Sequence, residues 1–293
     1  MGFSNEEFIV NMHSNAQLLN ETQLNQYERD GFLSPIRIFS EQEAYAMRSK
    51  LEAYEATHGS VMKSPYRNKP HLVFNWVAEV IRNPKILDLV EGILGPNLLV
   101  WGTNFFIKEP DDGTFISWHQ DSTYWGLSRP DVLTVWIALS PSQRNNGAMK
   151  MIRRSHQLDQ LPHTDTFEEG NLLTRGQKVD HEVAEEDVAW IELEPGEASL
   201  HHVRIIHGSE ANKGVDRRVG LAIRFVPTDV SQVNGVKDFA TLVRGRDDYQ
   251  HFQHEPCPQK SLGVAEKKVH TEIADESFKL FYKGTGREPK FGD

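Results

Sequence analysis

Residues 97–108 read Asn-Leu-Leu-Val-Trp-Gly-Thr-Asn-Phe-Phe-Ile-Lys (NLLVWGTNFFIK), and here the chain changes character. The run is rich in β-branched and aromatic side chains and follows a Gly95-Pro96 stop, so it reads as a strand. Downstream, further strands are expected at Val132–Leu139, Ala148–Ile152, Val188–Leu193, Ala198–His207 and Arg218–Val226. Turn signals separate most of them: Asn145-Asn146-Gly147, Pro195-Gly196 and the polar run 211–216. Upstream the pattern is helical. Ser40 and Glu43 form a capping box for a helix reaching His58, with Ala44, Met47, Leu51 and Tyr54 on one face. A second helix is expected from Pro84 to Leu94, with Ile86, Leu87, Val90 and Ile93 aligned. Helices followed by many strands predict a mostly β fold with flanking helices, its antiparallel strands closing into a double-sheet jelly roll.

No repeat or low-complexity linker divides the chain, so one domain is expected over residues 1–293. Within it, 1–96 reads as mainly helical and 97–230 as the β-core. Residues 231–293 read as a C-terminal extension. The polar stretch of about 159–186 reads as an insertion over the mouth of the barrel.

Lys and Arg number 32 against 42 Asp and Glu, a net charge of −10, which argues against nucleic acid or an anionic membrane as a partner. A small-molecule substrate is expected instead, and nothing indicates the oligomeric state. The single cysteine, Cys257, excludes an internal disulfide and a Cys-rich zinc site. With no basic-then-apolar leader at the start, the expected compartment is the cytoplasm. Gly2 carries no myristoylation signal, because Glu6 stands where Ser or Thr is needed.

The chemistry-bearing residues begin at Trp118-His119-Gln120-Asp121. Side chains two apart in an extended segment share a face, so His119 and Asp121 can offer an imidazole and a carboxylate to one ion. His-x-Asp alone is common, and a capped surface turn explains it equally well. The second histidine, His207, ends a predicted strand, and Arg218 follows eleven positions later. Two His and one carboxylate with open positions suit non-haem iron(II). An inward Arg218 needs an anionic partner, and a carboxylate-bearing cosubstrate is one that its fork can grip. Ser209 shares strand parity with His207 and can reach the same carboxylate.

At these residues the chain resembles the phytanoyl-CoA dioxygenase family of iron- and 2-oxoglutarate-dependent oxygenases. The likeness runs through LGPN (residues 94–97), WHQDSTYWGL (118–127) with Arg129-Pro130, VWIAL (135–139), RNNGAM (144–149), Ser155-His156 and HGSEANKGVDRR (207–218). It implies a double-stranded β-helix, with His119, Asp121 and His207 as the catalytic iron ligands. Arg218 would hold the distal carboxylate of 2-oxoglutarate, with Ser209 beside it and Trp136 lining the pocket. The implied cofactor set is Fe(II), 2-oxoglutarate and O2. Relatives that halogenate replace the carboxylate ligand with a small residue; Asp121 keeps it, which implies hydroxylation. The longer pattern, including LPHTDTF and NLLTRGQ, is similar to a bacterial subgroup that hydroxylates 2-aminoethylphosphonate and its N-methylated forms.

Parity suggests the rest of the site. If Asn104 faces the metal, Phe106 and Lys108 share its face; Asn104 would bond substrate or cosubstrate, and Lys108 would neutralise an anionic head or stand as a strand-end surface lysine. His201 has the parity of His207 and lines the barrel or packs at its rim, whereas Arg204 has the opposite parity. Tyr124 or Trp125 would face a substrate ammonium through a cation–π contact or pack under a lid. Lys69 and His71, from the basic run 66–71, are candidates for contacts to 2-oxoglutarate or substrate. Two other readings remain at this point: a non-catalytic binding protein, against which the intact ligand set argues, and a zinc hydrolase, which leaves Arg218 unexplained.

Overall fold

The computed structural model describes residues 19–235 and 238–282. The elements run α1 (Glu21–Asp30), β1 (Phe32–Arg37), α2 (Glu41–His58), α3 (Asn75–Val80), α4 (Pro84–Leu94), β2 (Leu98–Lys108) and β3 (Ile116–His119). They continue β4 (Leu133–Ala138), β5 (Met149–Ile152), β6 (His163–Asp165), β7 (Gln177–Val179), β8 (Val188–Ile191), β9 (Glu197–His202), β10 (His207–Ser209), β11 (Arg218–Pro227), β12 (Phe239–Arg244), β13 (Gln253–His254) and α5 (Val264–Tyr282). A seven-stranded sheet, ordered β1-β9-β4-β11-β2-β12-β13, faces a four-stranded sheet, β3-β10-β5-β8. This is the jelly roll expected from the strand pattern, with helices on the outer face of the larger sheet.

The sequence placed α2 and α4 well because their ends carry local chemistry. Ser40 accepts from the Glu43 backbone N–H while the Glu43 carboxylate accepts from Ser40, a reciprocal cap of the kind that contributes about 1 kcal/mol. Asn20 caps α1 in the same way with Gln23. The helices bury Leu51, Ile86 and Val90 against Val100, Ile137, Leu200, Leu221, Ile223 and Phe225 of the larger sheet. The other face of that sheet is buried too, against Met149, Met151, Ala189 and Ile191 of the smaller one. Strands covered on both faces read as near-continuous apolar runs, and the exceptions mark the site. On β11, Val219, Leu221 and Ile223 go to the helices; Arg218, Gly220, Ala222 and Arg224 take the alternate face, toward the barrel interior. Cross-strand register then lines up Ala222 with Trp136 and Asn104, and Arg218 with Lys108.

One expectation needs correction and two gain detail. Within the mainly helical stretch 1–96, Phe32–Arg37 forms β1 and pairs with β9 as an edge strand. Its partner lies some 165 residues downstream, so no local pattern reports the pairing. The expected strand Ala198–His207 is two strands: β9 ends at His202 in the larger sheet, and β10 starts at His207 in the smaller one. The intervening Val203, Ile205 and Ile206 are buried and apolar, which hides the corner. The insertion 159–186 carries its own hairpin, β6 with β7. Among the described residues, no helix is long and apolar enough to cross a membrane.

Candidate metal centre and cosubstrate pocket

β3 and β10 pair so that His207 lies directly opposite His119. Their ring centroids are 4.1 Å apart, and Asp121 follows His119 by two residues with an oxygen 3.4 Å from His119 Nε2. One ligand atom from each of the three residues lies within 4.8 Å of the others, and all three are buried. Both imidazoles are oriented by the backbone. His119 Nδ1 donates to the Ser117 carbonyl at 2.9 Å and His207 Nδ1 to the Ile205 carbonyl at 3.0 Å. A carbonyl can only accept, so Nδ1 carries the proton and Nε2 is left with its lone pair for a metal. Burial, and then the neighbouring His119, lower the pKa of His207 to about 4, so it is neutral as a ligand must be. Burial would raise the Asp121 carboxyl, but its charged surroundings, the Arg224 guanidinium foremost, hold it well below the usual carboxylate range.

Gln120, between His119 and Asp121, ties this segment to the insertion. Its backbone N–H donates to His163 Nε2 at 2.9 Å, and its side chain bonds the Leu161 N–H and the Arg204 carbonyl. The Asp121 N–H donates to the Val203 carbonyl in the corner between β9 and β10.

Two cavities meet at Asp121. The inner one, about 440 Å³ with its mouth included, is lined by His119, His207, Trp136, Ser209 and Arg218, with His201 on its wall. Arg218 is 2% exposed, sits over the Trp136 ring at 5.2 Å, and leaves Nε and Nη2 without a partner. Burial pulls its pKa to about 10. An orphaned buried guanidinium is costly unless an anion arrives, and the far carboxylate of 2-oxoglutarate fits it. The donor set beside it, two imidazoles and a carboxylate on one side of an open space, fits Fe(II).

The family described as phytanoyl-CoA dioxygenase (PhyH) matches residues 27–220. The chain belongs to that family. Similar sequences include a probable alpha-ketoglutarate-dependent hypophosphite dioxygenase of Stutzerimonas stutzeri, 28% identical over 221 residues, which span 73% of this chain and 74% of that protein. Among solved structures, the non-heme monooxygenase ThoJ in its apo form is 30% identical with a TM-score of 0.78, covering 90% of this chain and 99% of that one. CytC3 with Fe(II) and alpha-ketoglutarate is 25% identical with a TM-score of 0.60, over 84% and 95% of the two chains. This member of the phytanoyl-CoA dioxygenase family is therefore a dioxygenase that works with Fe(II) and 2-oxoglutarate.

The outer cavity, about 890 Å³ including the space open to solvent, is lined by Asn68, Asn104, Phe106, Trp125, Thr174 and Arg224, among others. Asn104 is placed here, accepting from Arg224 and donating to Asn68. The remaining predicted residues fall elsewhere or have other partners. Lys69 reaches the cavity wall, but its ammonium donates to Glu255 at 2.5 Å and to the Trp101 carbonyl at 2.7 Å. His71 is buried between Glu255 (2.8 Å) and Thr103 (2.7 Å) and lines neither cavity. Lys108 is a fully buried residue behind Ser209, neither a surface lysine nor part of the outer lining. Trp125 is buried, with its face taken by the Arg224 guanidinium at 5.1 Å. Tyr124 closes the short turn after Asp121, and its side chain lies outside the described ones. His201 stands 5.4 Å from His207, ring to ring, and burial keeps it well below the usual histidine range.

Arg224 was missed by the sequence reading. It borders both cavities, its Nε lies 3.8 Å from Asp121, and that Nε has no hydrogen-bond partner. Its even spacing of six from Arg218 on one strand is the signal that would have found it.

Proposed function

We propose that His119, Asp121 and His207 hold the iron, that Arg218, Ser209 and Trp136 seat 2-oxoglutarate, and that the outer cavity takes a small phosphorus oxyanion. The specific reading is C–H hydroxylation of 2-aminoethylphosphonate or its N-methylated forms. Overall, R–H, O2 and 2-oxoglutarate become R–OH, succinate and carbon dioxide. The iron, when bound, supplies oxygen activation; the protein holds the two organic partners and keeps their reacting ends together.

The observation that carries this reading is Arg224, a part-buried guanidinium bordering the outer cavity, whose Nε makes no hydrogen bond and lies 3.8 Å from Asp121. Its planar fork suits a phosphonate better than a neutral substrate, and Asn68 and Asn104 add amide groups alongside it. Among the described residues lining the cavity, the sole carboxylate is Asp121, so an ammonium has no ion-pair partner apart from a metal ligand. That favours the N-methylated forms, whose cation is diffuse and settles against aromatic surface. The hypophosphite-oxidising relative adds support for a phosphorus substrate.

The test is a substrate panel scored by succinate formed and product hydroxylated: aminoalkylphosphonates, hypophosphite, betaines, amino acids and acyl-CoA esters. Coupled turnover is expected with aminoalkylphosphonates, and Arg224→Met is expected to raise their KM by about tenfold or more. Coupling with acyl-CoA esters alone would overturn the phosphonate reading.

A further inference from the structure

Asn68 and Asn104 face each other across an isolated antiparallel bridge between the 66–71 run and β2. Their side chains form a hydrogen-bond chain with Arg224 whose polarity is forced from one end. A guanidinium only donates, so Asn104 Oδ1 must face Arg224, where it accepts from Nη1. That leaves Asn104 Nδ2 for Asn68, whose Oδ1 accepts from it. A carboxamide has one oxygen and one nitrogen, so Asn68 is left with its own Nδ2 and two N–H donors. Among the described residues this nitrogen has no partner, and Asn68 lines the outer cavity. At the other end, Arg224 Nε also makes no hydrogen bond. Arg224 and Asn68 thus flank one fully engaged carboxamide, and what they leave unspent on either side of it is donors alone.

The segment that carries Asn68 is held from the C-terminal helix. His270 on α5 is fully buried, and its Nε2 donates to the Asn68 carbonyl at 2.7 Å. Its Nδ1 is buried without a hydrogen bond, and its ring meets Tyr66 edge-on at 5.0 Å. A phenyl ring would fill that space without an orphaned nitrogen, so the single N–H bond to Asn68 is what the imidazole contributes. One and two turns further along the same face of α5, Ala274 and Ser277 line the outer cavity. The helix therefore walls the cavity and fixes its amide donor at once.

We propose that Asn68 determines specificity at the outer cavity: with Arg224 it presents donors only, so the head group selected there is an acceptor-only oxyanion, and His270 is the positioning residue that holds Asn68 in place. A head group that turns its own N–H or O–H toward this corner finds no acceptor on either residue and loses a hydrogen bond on leaving water. The inference rests on the outer cavity being the substrate's, not on the oxyanion being one of phosphorus.

The experiment is calorimetric and needs no turnover. The protein loaded with Mn(II) and 2-oxoglutarate, under argon, is titrated with 2-aminoethylphosphonate, 2-aminoethanesulfonate and 3-aminopropionate, which share an amine arm and differ in the oxyanion. Asn68→Asp, which turns an oxygen where the donors stood, is expected to weaken the oxyanion that wild type binds best by about 10- to 100-fold, with 2-oxoglutarate affinity kept within about twofold. If Asn68→Asp fails to fold or to bind manganese, Asn68→Ala replaces it, with a loss of about fivefold or more. His270→Phe should weaken the same oxyanion by about threefold or more, and His270→Gln, whose amide keeps an N–H donor, should recover part of that loss. Binding of the sulfonate or the carboxylate but not the phosphonate, with the same loss in Asn68→Asp, would uphold the inference and overturn the phosphonate reading. Wild-type protein that binds none of the three, unchanged affinity in the folded Asn68 variant, or an equal loss for 2-oxoglutarate would overturn the proposal. Wild-type affinity in His270→Phe would overturn its positioning part.

Discussion

A methyl group added at Gly220 tests how tightly the inner cavity is built. Gly220 lies on β11 between Arg218 and Ala222, opposite Ala138 and Phe106. A Cβ there would stand 1.9 Å from Cζ2 and 2.4 Å from Cε2 of Trp136. Carbon atoms in contact sit about 3.5 Å apart or more, so the indole must move by about 1.6 Å. It cannot do so freely, because the Arg218 guanidinium lies over it and the ring packs among Phe106, Met149 and Ala222. Overpacking of this kind costs about 1–3 kcal/mol. For a chain of this size that lowers Tm by roughly 2–5 °C. The functional effect should exceed the stability effect. Displacing Trp136 moves Arg218, and a misplacement of about 1 Å in a positioning group can cost on the order of 100-fold. Gly220→Ala is therefore expected to raise the KM for 2-oxoglutarate by at least about tenfold, measured by succinate release, with thermal unfolding followed in parallel. Wild-type 2-oxoglutarate KM together with wild-type Tm would refute this packing argument.

Glu255→Gln should destabilise the fold by about 3–5 kcal/mol, since it leaves the buried Lys69 ammonium without its counter-charge and weakens the bond to His71; unfolding within 2 °C of wild type by calorimetry (roughly 1 kcal/mol or less) would contradict it. The metal-free protein should lose stability in acid. His202, His207 and His270 are each pushed down to about 4, in every case first by burial. Their folded pKa values lie below the unfolded value of about 6.5, so this stability is present above about 6.5 and is lost as pH falls toward 4, with up to roughly three extra protons on the unfolded chain. Urea midpoints taken from pH 7 to 4.5 check it, and a flat profile would count against it.

Most of the barrel was legible because its elements carry local signals. Ser40 with Glu43 and Pro84 with Gly95 mark helix ends, and the apolar runs of β2, β4 and β11 are long enough to admit only strands. What escaped was non-local. β1 is short, contains Pro35, and becomes a strand only because β9 offers it an edge. The corner at 203–206 has neither Gly nor Pro, so the passage from one sheet to the other left no mark. That His119 and Asp121 share a face could be read from period-two spacing, whereas the fates of the cations depended on partners far along the chain. Lys69 and His71 are both drawn to Glu255 in the C-terminal segment. Lys108 is held inside by Ser209 and the turn that follows it. Arg224 was within reach, given its shared parity with Arg218.

The most direct measurement is the visible spectrum of the protein with Fe(II) and 2-oxoglutarate in the absence of oxygen. A weak metal-to-ligand charge-transfer band is expected if, as proposed, His119, Asp121 and His207 hold the iron to which the keto acid would bind. His119→Ala, folded as judged by its unfolding transition, should show no such band. A native protein without the band, or a His119→Ala variant that keeps it in full, would contradict the placement of the iron and with it the account of the site.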